Sequence, residues 1–194
     1  MSYKTYADIR DLSWEYLIKY EICSLPVDIM RIANGENFHV VKNSYADALR
    51  PGETARSYFD GNIWHIIYDD SQPKEKLRFA LAHEIGHAAL HHELKYLEYG
   101  HLRIVNPKPI SENQANQFAM RLLCPACFIY AMELHTPEEI AKACLVDIDV
   151  ATVRAQRMKI LRKRNMFLTS PLEQLLYKNF KEQLLTQNQN VHKS

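Results

Sequence analysis

No stretch of this 194-residue chain approaches the roughly 18 consecutive apolar residues that a membrane-crossing helix needs. The opening MSYKTYADIRDLSWEYLIKY sets a charge or a tyrosine every few residues, so neither a signal-peptide core nor a transit-peptide pattern is present. A cytoplasmic protein with no membrane partner is the expectation. An excess of charge of one sign is missing too. The 24 Lys and Arg against 23 Asp and Glu leave a net charge of +1, which removes any global case for nucleic acid or an acidic surface as partner. Cysteine is scarce: Cys23, Cys124, Cys127 and Cys144 are four in a chain long enough to fold without staples, and in a reducing compartment they stay thiols. Cys124 and Cys127 form a CPAC with no second C-x-x-C, so plain packing explains them better than zinc or redox chemistry. Internal repeats and low-complexity linkers are absent, and nothing in the pattern fixes an oligomeric state.

What is present is an ordinary globular composition, 47% hydrophobic and 24% charged, at a length that favours one domain or one domain with a small appendage. Apolar residues at helical spacing predict a helix over Tyr6 to Tyr20, and a second short helix follows Pro26 with Ile29, Met30 and Ala33 on its apolar side. Asn37 to Val41 reads as a strand. In ARSYFDGNIWHIIYDD, Asp60-Gly61 between two β-prone runs predicts a type I′ hairpin. The second strand is apolar on both faces, which suits a strand covered on both sides better than a peptide-binding edge. A helix from Lys76 to about Glu93 follows. After a Tyr- and His-containing connection, Ser111 and Gln114 form a capping signature for a helix that Pro125 stops. Thr136-Pro137-Glu138-Glu139 opens a pair of short helices, and Ser170-Pro171-Leu172-Glu173 caps a last helix to about Leu185 before a polar tail.

One stretch of the first long helix carries chemistry: LRFALAHEIGHAALHH, Leu77 to His92. Residues four apart lie one turn apart on one helix face, so His83 and His87 can reach one metal ion at about 2.0 to 2.1 Å. Glu84 sits one position round, where its carboxylate can serve as general base toward a water without being a ligand. This is the H-E-x-x-H arrangement of metallopeptidases. With 9 His and 14 Glu in 194 residues, chance alone yields the pattern in about 3 shuffled chains per 100, so context must decide. Gly86 supplies some: it costs about 1 kcal/mol relative to Ala inside a helix, which implies a packing reason such as close approach of another element. The flanks are apolar almost all round, so the helix should be buried.

A third ligand is needed. His91 continues the face but lies about 12 Å along the axis from His83, too far to share one ion, and reads as exposed or as a supporting residue. The metzincin pattern requires Gly at 90 and His at 93, where the chain has Leu90 and Glu93. A deformylase-like Cys ligand would have to be Cys23, which stands alone and distant. Glu112 is better placed, 25 residues after His87 and opening the next helix, which a short loop can fold back antiparallel. Glu93, Glu98 and Glu133 are its rivals, the first two too close to the metal helix to turn back easily. The plainer role for Glu112 is to favour a helix N-terminus.

RFALAHEIGHAALHH followed by ENQANQFAMRLLCP resembles the ImmA/IrrE family of metallopeptidases, closely over Arg78 to Pro125 and loosely over most of the chain. The resemblance implies His83, His87 and Glu112 as metal ligands and Glu84 as general base. Asn116 matches the helix signature without a catalytic role. Cys124 stands where the family usually has methionine. The implied fold is α+β, mostly helical with a small antiparallel sheet. Residues 1–135 would form a minimal zincin-like core, and residues 136–194 a helix-turn-helix-like region packed on it with a frayed tail. The implied activity is restricted endopeptidase cleavage of a helix-turn-helix repressor encoded nearby, of a mobile element or a stress response. Zinc is the default metal for a His₂Glu set with an open position, and manganese or iron suits the same ligands.

The alternative is a DNA-binding or repressor-binding regulator with a sensory or vestigial metal site. Thr136 to Arg164 can be read as helix-turn-helix, with Arg154, Arg157, Lys159, Arg162, Lys163 and Arg164 on its second helix. Against this, a basic run at a helix C-terminus complements the helix dipole, and Ala151, Val153 and Ile160 suggest packing on the core. For the oxyanion-stabilising group, Tyr96, Tyr99, Tyr130 and His65 are equal candidates.

Overall fold

The computed structural model describes residues 5–92, 96–98, 101–103 and 109–191, with the backbone alone for 96–98, 101–103 and 187–191. Contacts divide the chain into two compact units, one built from residues 1–10 and 29–119 and the other from residues 11–28 and 120–194. Two of the three boundaries fall inside helices α1 (Tyr6–Lys19) and α5 (Pro109–Leu123), and the third falls just before Ile29. None of the described helices is long and apolar enough to cross a membrane.

The first unit holds a five-stranded sheet, β1 (His39–Lys42), β2 (Ala55–Phe59), β3 (Trp64–Tyr68), β4 (Tyr96–Glu98) and β5 (His101–Arg103), in the order β1-β3-β2-β4-β5. The sequence predicts a small antiparallel sheet; the observed sheet is small and mixed. The hairpin β2–β3 is antiparallel, but β1 runs parallel to β3 with His39 opposite His65. A short helix α3 (Asn43–Ala46) and the loop after it carry the chain past the end of β1. The hairpin then starts on the far side, and its second strand, not its first, returns beside β1. β3 is thus an interior strand, which accounts for its two apolar faces and rules out the edge reading.

The hairpin turn is one residue out of the expected register. With Phe59 opposite Trp64, the central pair is Gly61-Asn62 and not Asp60-Gly61. Only Gly61 has positive φ, at 103°, the sign pattern of a type II′ turn with glycine first. Asp60 acts from the flank. Its carboxylate accepts from the Ile63 amide, His65 and the Asn62 amide, which hold its pKa down to about 2.

One sheet face is covered by α2 (Ile29–Gly35) and α4 (Lys74–Ala89). Ile29, Ile32, Ala33, Ile66, Leu81, Ala82 and Ile85 are buried there. α4 starts at Lys74, two residues early, and stops four residues before the expected Glu93. After the C-cap Leu90, His91 takes a left-handed φ of 54°. The His91 amide donates to the Ala88 carbonyl and the His92 amide to the His87 carbonyl, a Schellman closure built on histidine instead of glycine. α5 begins at Pro109 in the favoured first helical position, so Ser111 lies inside the first turn and does not cap it.

The second unit is helical: α6 (Ala126–Ala131), α7 (Pro137–Cys144), α8 (Ile148–Lys163) and α9 (Pro171–Val191), with residues 11–19 of α1. α7 carries the expected capping box, the Thr136 hydroxyl accepting from the Glu139 amide while the Glu139 carboxylate accepts from the Thr136 amide. On α8, Ala151, Arg154, Ala155 and Met158 are buried, whereas Val153 and Ile160, expected to pack, are exposed. Phe128 and Phe180 stack with centroids 3.9 Å apart.

Cys124 and Cys127 flank Pro125-Ala126, both fully buried, and Cys144 is buried as well. Burial, reinforced by the Glu173 carboxylate, pushes the Cys127 thiol up to about 12. The CPAC is packing. A thiol-specific reagent at pH 8 should therefore titrate no more than one cysteine in the native chain, the half-buried Cys23, and all four after denaturation. Native reaction of two or more would contradict the burial of the pair.

Candidate metal centre

His83, Glu84 and His87 come from the last two turns of α4, His83 and Glu84 half-buried and His87 buried, and Glu112 from the first turn of α5. The Nε2 atoms of His83 and His87 stand 2.9 Å apart. Glu112 reaches both, Oε2 lying 3.3 Å from His83 and Oε1 3.3 Å from His87. The His87 side chain is only 3% exposed and that of Glu112 40%, so the cluster is walled on one side and open to water on the other. Among the described residues, no other group of three or more His, Cys, Asp or Glu converges in this way. Glu133, a rival for third ligand, does not join it. Glu93 lies outside the described residues, as does the side chain of Glu98.

Gly86 explains how α5 gets so close. A Cβ built there would meet Phe118 Cδ1 at 3.0 Å and the Ala115 carbonyl oxygen at 3.3 Å. The helix-weakening glycine is the space into which α5 packs, and that contact carries Glu112 to the histidines.

Each histidine turns Nε2 inward and has a polar neighbour on Nδ1. Asn116 Oδ1 lies 2.9 Å from His83 Nδ1, and since an amide oxygen only accepts, this contact suits the tautomer with the proton on Nδ1, the one that leaves Nε2 open to an ion. On His87 the other nitrogen, Nδ1, lies 3.0 Å from His92 Nδ1. His92 Nε2 in turn lies 3.0 Å from Gln114 Oε1, again an acceptor. Asn116, set aside as non-catalytic in the sequence, thus has a positioning contact, and His92, not His91, is the histidine beside the site. His91 is exposed. The signal that could have found His92 is the doublet His91-His92 just past the helix end, where a left-handed residue folds its successor back.

These donors suit a divalent cation. Bare imidazole nitrogens and a carboxylate converge on one point with their lone pairs, an arrangement that repels itself unless positive charge stands between. Tetrahedral ligands about 2.0–2.1 Å from an ion stand about 3.3 Å from one another, the distance between Glu112 and each imidazole. Two nitrogens and one oxygen with a solvent-facing side are donors of the kind that hydrolytic metal sites use.

Glu84 is half-buried and accepts a hydrogen bond from the hydroxyl of Ser57, itself buried on β2. Ser57 was not legible as a site residue; it is the polar member of the β2 face turned toward α4. By strand alternation and register, Tyr58 and His65 lie on the opposite face. There His65 stacks on Tyr58 at 4.7 Å and lies 3.1 Å from His39 Nδ1. This takes His65 out of contention as oxyanion stabiliser. Tyr130 stacks on Phe167 within the second unit, while Tyr99 and the side chain of Tyr96 lie outside the described residues.

The profile of the IrrE N-terminal-like domain, a peptidase family, matches residues 38–155, more than half of the chain. No curated protein matches it.

Two outcomes follow from the geometry. After equilibration with zinc and gel filtration, His87→Ala and Glu112→Ala should each retain much less metal than the parent by mass spectrometric metal analysis, whereas Glu84→Gln should retain it; full retention in both ligand variants would remove the site. Gly86→Ala gains about 1 kcal/mol of helix propensity but overpacks against Phe118 and an unyielding backbone carbonyl at about 1–3 kcal/mol. Its Tm should fall, and a rise would refute the close-approach account.

Proposed function

The chain belongs to the IrrE N-terminal-like peptidase family and is of metallopeptidase type, and from that premise we propose a zinc-dependent endopeptidase of restricted specificity. In this reading His83, His87 and Glu112 hold the ion and Glu84 is the general base. The observation that carries it is the convergence of three acceptors on one point, each imidazole turned by its own hydrogen bond.

When bound, the metal supplies Lewis acidity, polarising the scissile carbonyl and making water a nucleophile near neutral pH. Glu84 takes a proton from the attacking water as the C–O bond forms. It returns that proton to the amide nitrogen as the C–N bond breaks, so that one water and one peptide bond become a carboxylic acid and an amine. The Ser57 hydroxyl holds one oxygen of the Glu84 carboxylate and limits its rotation, which favours a fixed orientation of the other.

The substrate we propose is a helix-turn-helix repressor encoded nearby, whose cleavage would relieve repression in a mobile element or a stress response; the support is the ImmA/IrrE resemblance of Arg78 to Pro125. The DNA-binding alternative is weakened by two of its six basic side chains. Arg154 is buried and donates from Nε to the Cys124 carbonyl at 2.7 Å, and Arg162 donates to the Leu134 carbonyl at 2.7 Å. Both are structural donors inside the helical unit and not a phosphate-facing row.

Incubation of that repressor with the metal-loaded protein, followed by intact-mass spectrometry, should give a single cut with the parent and none with Glu84→Gln. Equal cutting by both would discard Glu84 as base; no cutting by the parent would discard this substrate.

A further inference from the structure

The His87 side of the site carries more than a ligand, and we propose that His92 is a positioning residue that fixes the tautomer of His87 through a relay ending at Gln114. This inference rests on the metal-site reading above.

Gln114 is buried at 8% exposure, and its Oε1 lies 3.0 Å from His92 Nε2. A carbonyl oxygen only accepts, so the His92 Nε2 carries a hydrogen and donates it. A neutral His92 then has a bare Nδ1, and the atom 3.0 Å away, His87 Nδ1, must bring the hydrogen between them. That leaves His87 Nε2 bare, facing His83 and Glu112. The reverse assignment, with His92 donating from Nδ1, puts the His87 proton on Nε2, in the place of the ion. Of the two ways to run the relay, one makes His87 a ligand and the other prevents it.

The backbone makes the relay possible. His92 lies five residues beyond His87, which on a continued helix would turn it away by 140° at 100° per residue. The Schellman closure instead sends the chain back at His91, and the His92 amide bonds the His87 carbonyl. The two rings then meet edge to face, 5.0 Å between centroids at 71°. His87 therefore receives from His92 what His83 receives from Asn116, an acceptor on Nδ1. Partners of this kind are worth about 10–100-fold in metal affinity.

The test is zinc affinity, measured by competition with a chromophoric chelator, for the parent, His92→Phe, His92→Asn and Glu112→Ala. Phenylalanine keeps a ring and removes the acceptor; asparagine places Oδ1 where Nδ1 stood. His92→Phe should bind zinc about 10–100-fold more weakly, and His92→Asn should recover most of the loss, a rescue that a merely space-filling role would not give. In the metal-free parent, long-range ¹H–¹⁵N spectra of the imidazoles should show His87 protonated at Nδ1 and His92 at Nε2. Unchanged affinity in His92→Phe while Glu112→Ala weakens binding, or His87 protonated at Nε2, overturns the relay alone. Zinc binding indifferent to Glu112→Ala overturns the site and the relay with it.

Discussion

Two imidazole Nε2 atoms 2.9 Å apart and a carboxylate 3.3 Å from each share one point, and once both nitrogens are deprotonated they repel one another unless a cation stands between them. Nothing in α4 or α5 would favour that arrangement for stability alone. Each Nε2 is open to an ion when the opposite nitrogen donates to its neighbour, Asn116 for His83 and His92 for His87. A cation at the focus would turn that repulsion into binding energy, which is why the proposed function places one there.

Holding three repelling groups together requires rigid support, and the first unit supplies it from backbone and packing. Gly86 removes the one Cβ that would push α5 away from α4. The left-handed His91 ends α4 early enough to bring His92 back over His87. Ser57, from the β2 face that α4 covers, holds Glu84. α4 contributes His83, Glu84 and His87, α5 contributes Glu112 and Asn116, and the sheet contributes Ser57, so none of these side chains sits on a loop.

How much of this was legible in the sequence depended on the range of the interaction. His83, Glu84 and His87 are fixed relative to one another by helix geometry, so their mutual placement was readable from spacing, while context had to single them out as a site. Gly86 pointed correctly to a close approach because a helix interior rarely accepts glycine without one. Glu112 needed the resemblance and the length of the connection, since its meeting with the histidines depends on how two helices pack. The capping box at Thr136 was readable because it is a local exchange of hydrogen bonds. The parallel pairing of β1 with β3 and the contact of Ser57 with Glu84 were not readable, because both depend on where distant segments return. His92 was missed for a different reason: histidine in a left-handed C-terminal position is uncommon, so the helix was expected to run on to Glu93.

The central claim is that one metal ion is held by two imidazoles and a carboxylate and not by the cysteines of the CPAC. X-ray absorption at the zinc edge of the loaded protein tests it most directly. The account predicts a first shell of nitrogen and oxygen at about 2.0–2.1 Å, with the outer-shell pattern of two imidazole rings and no sulfur. A sulfur shell at about 2.3 Å, or the signature of a single imidazole, would contradict it.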